Sequence, residues 1–402
     1  MNTFTKNFLL GIMTAAFFSA FIYFAYFDIT NKFLNTLFGL FAITLLLYIP
    51  KKSLLIAGFF IGIFWFYWIG FSFKYQGVGY MAPIITFAFG ILYLLFFAPL
   101  ALTNKPYIRA IFLFGLSFFE PLSWNWMKIE LLFVNSYIGV YKYQLVAVLL
   151  ALSLPALTKN KNYKFLPLLL LVVSFNYAYP KQMDAPLKIK LVQTQIPQDQ
   201  KWLRERIYPT IYMIFQDIDQ AIHNNYDVVV FPESVFPLFL NENPKLIKAL
   251  QKASKKITIV AGALLHENNL NYNVTYMFQN GKYKVAKKLI LVPFGEYIPL
   301  PKFAQKFIND TFFNGGSDFV TAKKPTDFTI KGITFRNAIC YEATCKELYK
   351  GNVKYMIAIS NNAWFTPSIE PTLQKLLLEY YARKNGVTVY HAANMSGTGV
   401  IK

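Results

Sequence analysis

Three residues in the second half of the chain, Glu233, Lys288 and Cys340, provide the groups that acyl chemistry requires. Cys340, one of two cysteines, lies in NAICYE, where a run typical of a β-strand gives way to one typical of a helix. Glu233 follows a hydrophobic run in VVVFPES, and Lys288 lies in KKLILVPFGEY. A thiol, a carboxylate and an ammonium group can act as nucleophile, general base and oxyanion-stabilising cation.

The local sequence around these residues favours such roles, although each type alone is more often structural. A helix beginning at residues 341–348 would direct its N–H groups and its dipole toward Cys340 and favour the thiolate. Glu233 would take the thiol proton and later return it to a leaving group. Lys288 would stabilise an oxyanion beside the backbone N–H of Tyr341. A lone cysteine is otherwise an ordinary core residue, and a lone Glu or Lys is usually solvated.

Residues 181–402 have the alternating strand and helix patterns of an α/β domain that is long enough to bury its own core. Amphipathic stretches at residues 205–223 and 244–256 predict helices between the strands. We therefore predict mixed sheets with helices packed outside. The predicted strands, rich in β-branched or aliphatic residues, are residues 189–196, 227–231, 257–263, 334–339 and 355–360.

The first half of the chain has a different composition, and it predicts a membrane bundle. The whole chain is 55% hydrophobic and 18% aromatic, which exceeds the needs of a soluble domain. We predict a multi-span α-helical bundle over residues 1–180, followed by the α/β domain at 181–402. Crossing a bilayer takes roughly 18 residues of helix, and the last two stretches are slightly shorter. The seven predicted spans are residues 7–27, 33–50, 53–73, 75–104, 110–127, 143–158 and 165–180.

The distribution of Lys and Arg predicts the orientation of this bundle. Seven spans place its two ends on opposite sides, and eight basic residues against four favour a cytoplasmic N-terminus. Residues after 180 would then lie outside the cytoplasm, although the loss of one span would reverse this conclusion. The inner-side residues are Lys6, Lys51, Lys52, Lys105, Arg109, Lys159, Lys161 and Lys164, against Lys32, Lys74, Lys128 and Lys142.

Charge and the remaining reactive side chains narrow the functional classes. Residues 181–402 carry 28 of the 40 Lys and Arg against 17 of the 20 Asp and Glu, which favours contact with anionic headgroups. Nucleic-acid binding is disfavoured because no basic run is interleaved with stacking aromatics.

His223, His266 and His391 lack ligand spacing, so neither a metal nor another cofactor is expected. A disulfide between Cys340 and Cys345 would block the nucleophile, so two reduced thiols are predicted.

Five strings in order carry a resemblance to a known family. They are Val192-Gln193 with IPQ and Lys201-Trp202, then FPES, LVPFGEYIPL, AICYE, and ISNNAWF at residues 359–365. On these strings the second half resembles the nitrilase, or carbon-nitrogen hydrolase, superfamily, which implies an α-β-β-α sandwich. The whole chain resembles the apolipoprotein N-acyltransferase family, in which such a domain follows membrane helices. That family normally ends with further strands and a last transmembrane helix, which this chain, ending at Lys402, would lack.

The resemblance implies roles for individual residues. Glu233 matches the general base, Lys288 the oxyanion-stabilising cation and Cys340 the nucleophile that forms a thioester. Three further matches to positions important for activity are Glu296, Tyr341 and Glu342.

Three other residues have two interpretations each. Trp202 matches a tryptophan on a mobile arm near the lipid entrance, where an aromatic suits the headgroup level, or it is an ordinary packed Trp. Trp364 would line the acyl pocket or pack the sheet. Glu120 would face the bundle interior, or end a helix at the interface beside Pro121.

The family's reaction is a ping-pong acyl transfer. A phospholipid, preferentially phosphatidylethanolamine, donates an acyl chain to Cys340, and the α-amino group of an apolipoprotein's diacylglyceryl-cysteine attacks the thioester. The resemblance implies a monomer in the bacterial inner membrane with a periplasmic catalytic domain. One alternative is a membrane-tethered amidase or nitrilase that passes its thioester to water, which would not need the long apolar bundle. A non-catalytic receptor or scaffold is the other, and the intact triad argues against it.

Overall fold

The computed structural model describes residues 2–121, 124–177, 179–293, 295–297 and 319–402. The chain forms two compact units. One comprises Met1–Tyr179 and Pro367–Tyr380, and the other comprises Pro180–Thr366 and Tyr381–Lys402. The segment 367–380, which the sequence places in the second domain, thus groups with the apolar first half.

The first unit is built from apolar helices. Three helical segments of the described residues are long and apolar enough to cross a membrane: Thr3–Tyr26, Lys51–Gln76 and Gly79–Leu102. Lys32–Tyr48, Pro106–Leu116 and Lys142–Ala156 are shorter apolar helices. The α-helices of residues 1–179 are α1 (Thr3–Tyr26), α2 (Lys32–Tyr48), α3 (Lys51–Phe66), α4 (Ala82–Phe97), α5 (Pro106–Leu116), α6 (Lys142–Ser153) and α7 (Leu171–Ser174).

The surfaces of these helices suit lipid rather than water. Ile84, Phe87 and Leu95 project from α4 and are all more than half exposed, and an apolar surface of this kind is rare on soluble proteins. Helices α3 and α4 pack closely through Gly58 and Gly62. A Cβ at Gly62 would lie 2.4 Å from the Phe89 carbonyl oxygen, so only glycine permits this approach, as is common between membrane helices.

Two of the predicted spans differ from the structure. Helix α5 ends at Leu116, so Glu120 lies beyond it and forms an ion pair with Lys128 rather than ending a helix. Residues 122 and 123 of the predicted span 110–127 lie outside the described residues. The stretch 165–180 contains a 3₁₀ segment (Leu166–Leu170) and the four-residue α7, so the prediction of one long helix there is wrong.

Hydrogen bonds between helix ends nevertheless show which helix ends lie together at each end of the first unit. At one end, Ser53 Oγ donates to Asn7 Oδ1 at 3.1 Å, and Tyr48 OH donates to the Leu152 carbonyl at 2.9 Å. Buried Arg109 donates there to the carbonyls of Leu47 and Ile49, which end α2.

The opposite end of the helices holds residues 135–141 and 174–176. Tyr137 N donates to Thr36 Oγ1 at 3.0 Å, and Gly139 N donates to the Ser174 carbonyl at 2.9 Å. An antiparallel bridge joins Ile138 to Phe175. Residues 166–174 therefore run back along α6, and the chain reaches Phe175 at the end opposite to Asn7.

The second unit contains two five-stranded mixed sheets. The first has the order β1-β2-β3-β4-β5, with β1, β2 and β3 parallel, and the second has the order β10-β9-β8-β7-β6, with β7, β8 and β9 parallel. The strands are β1 (Ile189–Leu191), β2 (Val228–Val230), β3 (Thr258–Glu267), β4 (Leu270–Gln279), β5 (Lys282–Lys287), β6 (Asp327–Ile330), β7 (Ile333–Ile339), β8 (Tyr355–Asn361), β9 (Thr388–Asn394) and β10 (Gly399–Ile401). Within the part of the chain that the structure describes, the helices after α7 are α8 (Gln198–Lys201), α9 (Arg204–His223), α10 (Pro244–Ala253) and α11 (Glu370–Asn385).

The two sheets pack face to face over a shared apolar core. Val230 and Val260 of the first sheet lie in one cluster with Ile339 and Ile357 of the second. The other face of the first sheet packs against α9 and α10 in a separate cluster. These helix, sheet and sheet layers, which follow an apolar helical unit, confirm the predicted fold class. The strand predictions are also confirmed in location, although β1 ends at Leu191 rather than 196.

Candidate active site

The three candidate catalytic residues follow three strands, and the C-terminal ends of these strands lie at the same end of the two sheets. Glu233 lies beyond β2, Lys288 directly follows β5, and Cys340 directly follows β7. Strands β2, β3 and β5 run in one direction because β4 is antiparallel to both β3 and β5. The structure thus brings together residues that are more than fifty positions apart in sequence.

The Glu233 carboxylate is held by a donor on each oxygen. Asn273 Nδ2 donates to Oε1 at 2.7 Å, and the backbone N–H of Asn361 donates to Oε2 at 2.9 Å. The Glu233 side chain is buried, and Lys288 Nζ lies 3.8 Å from Oε1. A buried carboxylate fixed in this manner can exchange a proton without reorienting.

Lys288 is held mainly by Glu296. Its Nζ lies 2.8 Å from Oε1 and 2.7 Å from Oε2 of Glu296, and Glu296 Oε2 also accepts the Val292 N–H at 2.9 Å. Burial alone would lower the pKa of Lys288. The negative charge on Glu296, Glu233 and Cys340 outweighs this effect and raises that pKa above its ordinary value. Lys288 is therefore a permanent cation at physiological pH.

Cys340 has an unusual backbone conformation at the end of β7. Its φ is +55°, in the left-handed region that residues other than glycine rarely adopt and that costs about 1–2 kcal/mol. Its side chain is partly exposed, and both cysteines are without a disulfide. Strain of this kind is often found at functional positions.

The predicted helix after Cys340 is wrong. Two short 3₁₀ segments, Cys340–Thr344 and Lys346–Tyr349, follow instead, and neither has the length of a helix with an appreciable dipole. Positive charge near the thiol must therefore come from side chains rather than from a helix end.

The turn that carries Glu233 depends on a glycine of the neighbouring strand. A Cβ added to Gly262 of β3 would lie 2.4 Å from the backbone N of Ser234 and 2.6 Å from Cα of Glu233. Ser234 itself has a φ of +47°. Only glycine at position 262 lets the chain at Glu233 lie this close to β3.

Glu342 connects the segment of Lys288 to that of Cys340. Its Oε2 accepts the N–H groups of Leu289 and Ile290 at 2.6 and 3.0 Å, and its Oε1 accepts the Ile339 N–H at 2.8 Å. Burial raises the pKa of Glu342 to about 7, against the lowering effect of Lys288 and of the three backbone donors. These contacts give Glu342 a positioning role.

The remaining predicted residues lie in different environments. Tyr341 is almost fully buried next to the nucleophile, and Trp364 is partly exposed in a 3₁₀ segment (Asn362–Trp364) after β8. Trp202 is 44% exposed directly after α8.

A network of amide side chains supports Glu233, and the sequence reasoning had not singled it out. Asn361 Nδ2 donates to Gln198 Oε1 at 2.8 Å, and Asn394 Nδ2 donates to Asn361 Oδ1 at 2.9 Å. Asn361 and Gln198 lie in the quoted strings, and the place of Asn361 at the end of β8 was an available signal. Asn273, on strand β4, had no such signal.

A known protein family and curated relatives match this chain. Residues 5–177 match the family model for the apolipoprotein N-acyltransferase integral membrane domain. A relative from Wolinella succinogenes, apolipoprotein N-acyltransferase, is 41% identical over 98% of this chain and 96% of its own length. This chain belongs to the apolipoprotein N-acyltransferase family. A second family member, from Helicobacter hepaticus, is 37% identical over 92% of this chain and 94% of its own length.

Several solved structures are also similar to part of this member of the apolipoprotein N-acyltransferase family. A CN-hydrolase superfamily protein from Xanthomonas campestris aligns with 52% of this chain and 76% of its own, at 15% identity and a TM-score of 0.40.

Within the described residues, no group of three or more His, Cys, Asp or Glu side chains is arranged to hold a metal ion.

Proposed function

We propose that this chain N-acylates apolipoproteins at the α-amino group of their N-terminal diacylglyceryl-cysteine, through an acyl thioester on Cys340. One observation carries the proposal: a strained thiol, a doubly held carboxylate and a buried ammonium group follow three strands, and the negative charge of the first two acts on the third. Membership of the acyltransferase family supports it, and the apolar bundle fits substrates that are themselves anchored in lipid.

In the first half-reaction Glu233 takes the proton of the Cys340 thiol. The thiolate attacks the carbonyl carbon of a phospholipid acyl ester, and the resulting oxyanion is stabilised by Lys288 and the backbone N–H of Tyr341. The intermediate collapses as the ester C–O bond breaks, and Glu233 returns its proton to the departing lysophospholipid oxygen. The acyl chain remains on sulfur.

In the second half-reaction the α-amino group of the apolipoprotein attacks the thioester carbonyl. Glu233 accepts a proton from the attacking nitrogen, and Lys288 again stabilises the oxyanion. The C–S bond then breaks, an amide remains on the apolipoprotein, and the thiolate regains its proton. We propose phosphatidylethanolamine as the acyl donor, because the resemblance of this chain to the family implies it.

We propose that residues 1–180 are a multi-pass domain in the bacterial inner membrane and that residues 181–402 form a periplasmic catalytic domain. The helix-end contacts support an odd number of traversals, because Asn7 and Phe175 lie at opposite ends of the first unit. Reporter fusions after Lys105, Lys161 and Lys181 should read inside, inside and outside. A cytoplasmic reading at Lys181 would contradict this orientation, and light scattering in detergent would test the proposed monomer.

The thioester is tested by incubating purified protein with acyl-labelled phosphatidylethanolamine without acceptor. Label sensitive to hydroxylamine should appear on Cys340 and be absent from Cys340→Ala. Addition of a diacylated lipopeptide should move the label to its amino group. Label that persists in Cys340→Ala would contradict the nucleophile, and release of free fatty acid alone would favour the hydrolase alternative.

A further inference from the structure

We propose that Lys201 is a positioning residue that supplies a second positive charge to the active site and balances the negative charge shared by Glu233 and Cys340. The proposal rests on the proposed function of the Glu-Lys-Cys group and adds a residue outside it. It concerns the ionisation of the nucleophile rather than the binding of the acyl chains.

Lys201 has a buried ammonium group that is hydrogen-bonded to the backbone carbonyl of Glu233, the proposed general base. It ends helix α8, its residue is 2% exposed, and its Nζ donates to the Glu233 carbonyl oxygen at 2.9 Å. Among the described residues, no carboxylate forms an ion pair with this Nζ at the distances seen for Lys288. Burying an ammonium group without a paired charge is costly, so its presence needs a compensating interaction.

A count of charges at this edge of the sheets indicates what the compensating interaction is. Glu296 contacts Lys288 with both oxygens, so these two residues form a neutral pair. Glu233 and Cys340 share one further negative charge, which is on the carboxylate before proton transfer and on the thiolate after it. Among the described residues, Lys201 is the further cation that can balance this charge in both states. Glu342 also lies here, and although Lys288 acts on its charge, its carboxylate accepts backbone N–H groups.

The electrostatic environment of Lys201 agrees with this pairing. Burial lowers the pKa of Lys201 to about 8, while negative charge on Glu233 and Cys340 acts in the opposite direction. Lys201 is therefore mostly cationic at neutral pH and loses its charge as the pH rises through about 8. An opposite charge within about 4–6 Å of an acidic group lowers its pKa by about one unit or more.

The position of Lys201 is fixed from its own helix. Gln198, at the start of α8, accepts a hydrogen bond from Asn361 Nδ2 at 2.8 Å. The backbone N–H of the same Asn361 holds Glu233 Oε2. Asn361 therefore holds both helix α8, which carries Lys201, and the Glu233 carboxylate.

The test follows the alkylation of Cys340 in the purified full-length chain by iodoacetamide from pH 5 to pH 10. Peptide mass spectrometry distinguishes Cys340 from Cys345. Lys201→Gln keeps a donor for the Glu233 carbonyl but removes the charge. It should raise the pH midpoint of alkylation by about one unit or more. Lys201→Arg keeps the charge and should leave the midpoint near that of the wild type.

Lys190→Gln is the matched control. Lys190 lies in the same unit, on β1, and pairs with Asp217 at 2.8 Å, so its removal changes the net charge equally without touching Glu233. Its midpoint should not move. An unchanged midpoint in Lys201→Gln, with activity reduced, would overturn the proposal and leave Lys201 a packing residue. If Lys201→Gln did not fold, Lys201→Met removes the same charge, and an unchanged midpoint there would overturn the proposal equally.

Failure of the proposed function gives a different result. Wild-type protein that never acquires acyl label on Cys340 from phosphatidylethanolamine would contradict the acyltransferase mechanism. The alkylation midpoints require no lipid, so they would still decide the role of Lys201.

Discussion

Lys288 lies closer to Glu296 than to Glu233. Its Nζ is within 2.8 Å of both Glu296 oxygens but 3.8 Å from Glu233 Oε1. The cation is therefore held away from the base, and Glu233 is left available to accept a proton. Glu296 and Glu233 therefore differ in what they contact, and the support that each receives can be tested by substitution.

Replacing Glu296 by Gln should reduce the rate of thioester formation by about 100-fold. Without the Glu296 charge, Lys288 would pair with Glu233, so the base would become weaker and the cation would be displaced. Labelled phosphatidylethanolamine and hydroxylamine release measure the effect. Glu267→Gln is the control, since Glu267 pairs with Lys287 at an exposed site and should matter little. Equal rates in the two variants would contradict the assignment.

Asn273→Ala should lower the acyl-transfer rate by about ten-fold or more, because a hydrogen bond to a charged group is worth about 1.5–3 kcal/mol. Asn273 donates to Glu233 at 2.7 Å and to Glu296 at 3.3 Å, so both carboxylates lose a donor. Thr275→Val on the same strand is the comparison. The Thr275 hydroxyl is buried and has no hydrogen-bond partner among the described residues, so its loss should be neutral or stabilising. A larger defect in Thr275→Val would argue against this role of Asn273.

Gly262→Ala should abolish most activity while the unit remains folded. The added Cβ would lie 2.4 Å from the Ser234 backbone, which must move and carry Glu233 with it. A misplacement of about 1 Å can cost about 100-fold in rate. Gly399→Ala provides the control, since a Cβ there meets nothing within 4 Å. Activity measurements together with thermal unfolding separate displacement from misfolding, and full activity in Gly262→Ala would refute the argument.

Glu342→Gln should change how stability depends on pH. Burial raises the pKa of Glu342 from 4.5 to about 7, so its contribution to stability is fully present below about pH 4.5 and is lost as the pH rises through 7. The variant cannot titrate at this position. The stability of the wild type relative to Glu342→Gln should therefore fall between pH 5 and pH 8. Unfolding midpoints in detergent would show this, and a constant difference would mean that Glu342 ionises normally.

The sequence alone was sufficient to predict the different composition of each half and to propose Glu233, Lys288 and Cys340 as a triad. Runs of apolar residues predict helices that suit lipid, and Glu233 and Cys340 stand directly after short hydrophobic runs that form β2 and β7. These features are local, because hydrophobic periodicity and strand ends are properties of neighbouring residues.

Only the tertiary structure decided which groups meet at the site. Asn273 contacts Glu233 because β4 pairs with β3 in one register, and Gly262 admits the Glu233 turn because two backbones approach there. Lys201 comes to the Glu233 carbonyl from a separate helix. The helix expected after Cys340 formed 3₁₀ turns instead, and the long helix expected at residues 165–180 became two short segments. Contacts between strands and helices distant in sequence set these outcomes, and no local pattern encodes them.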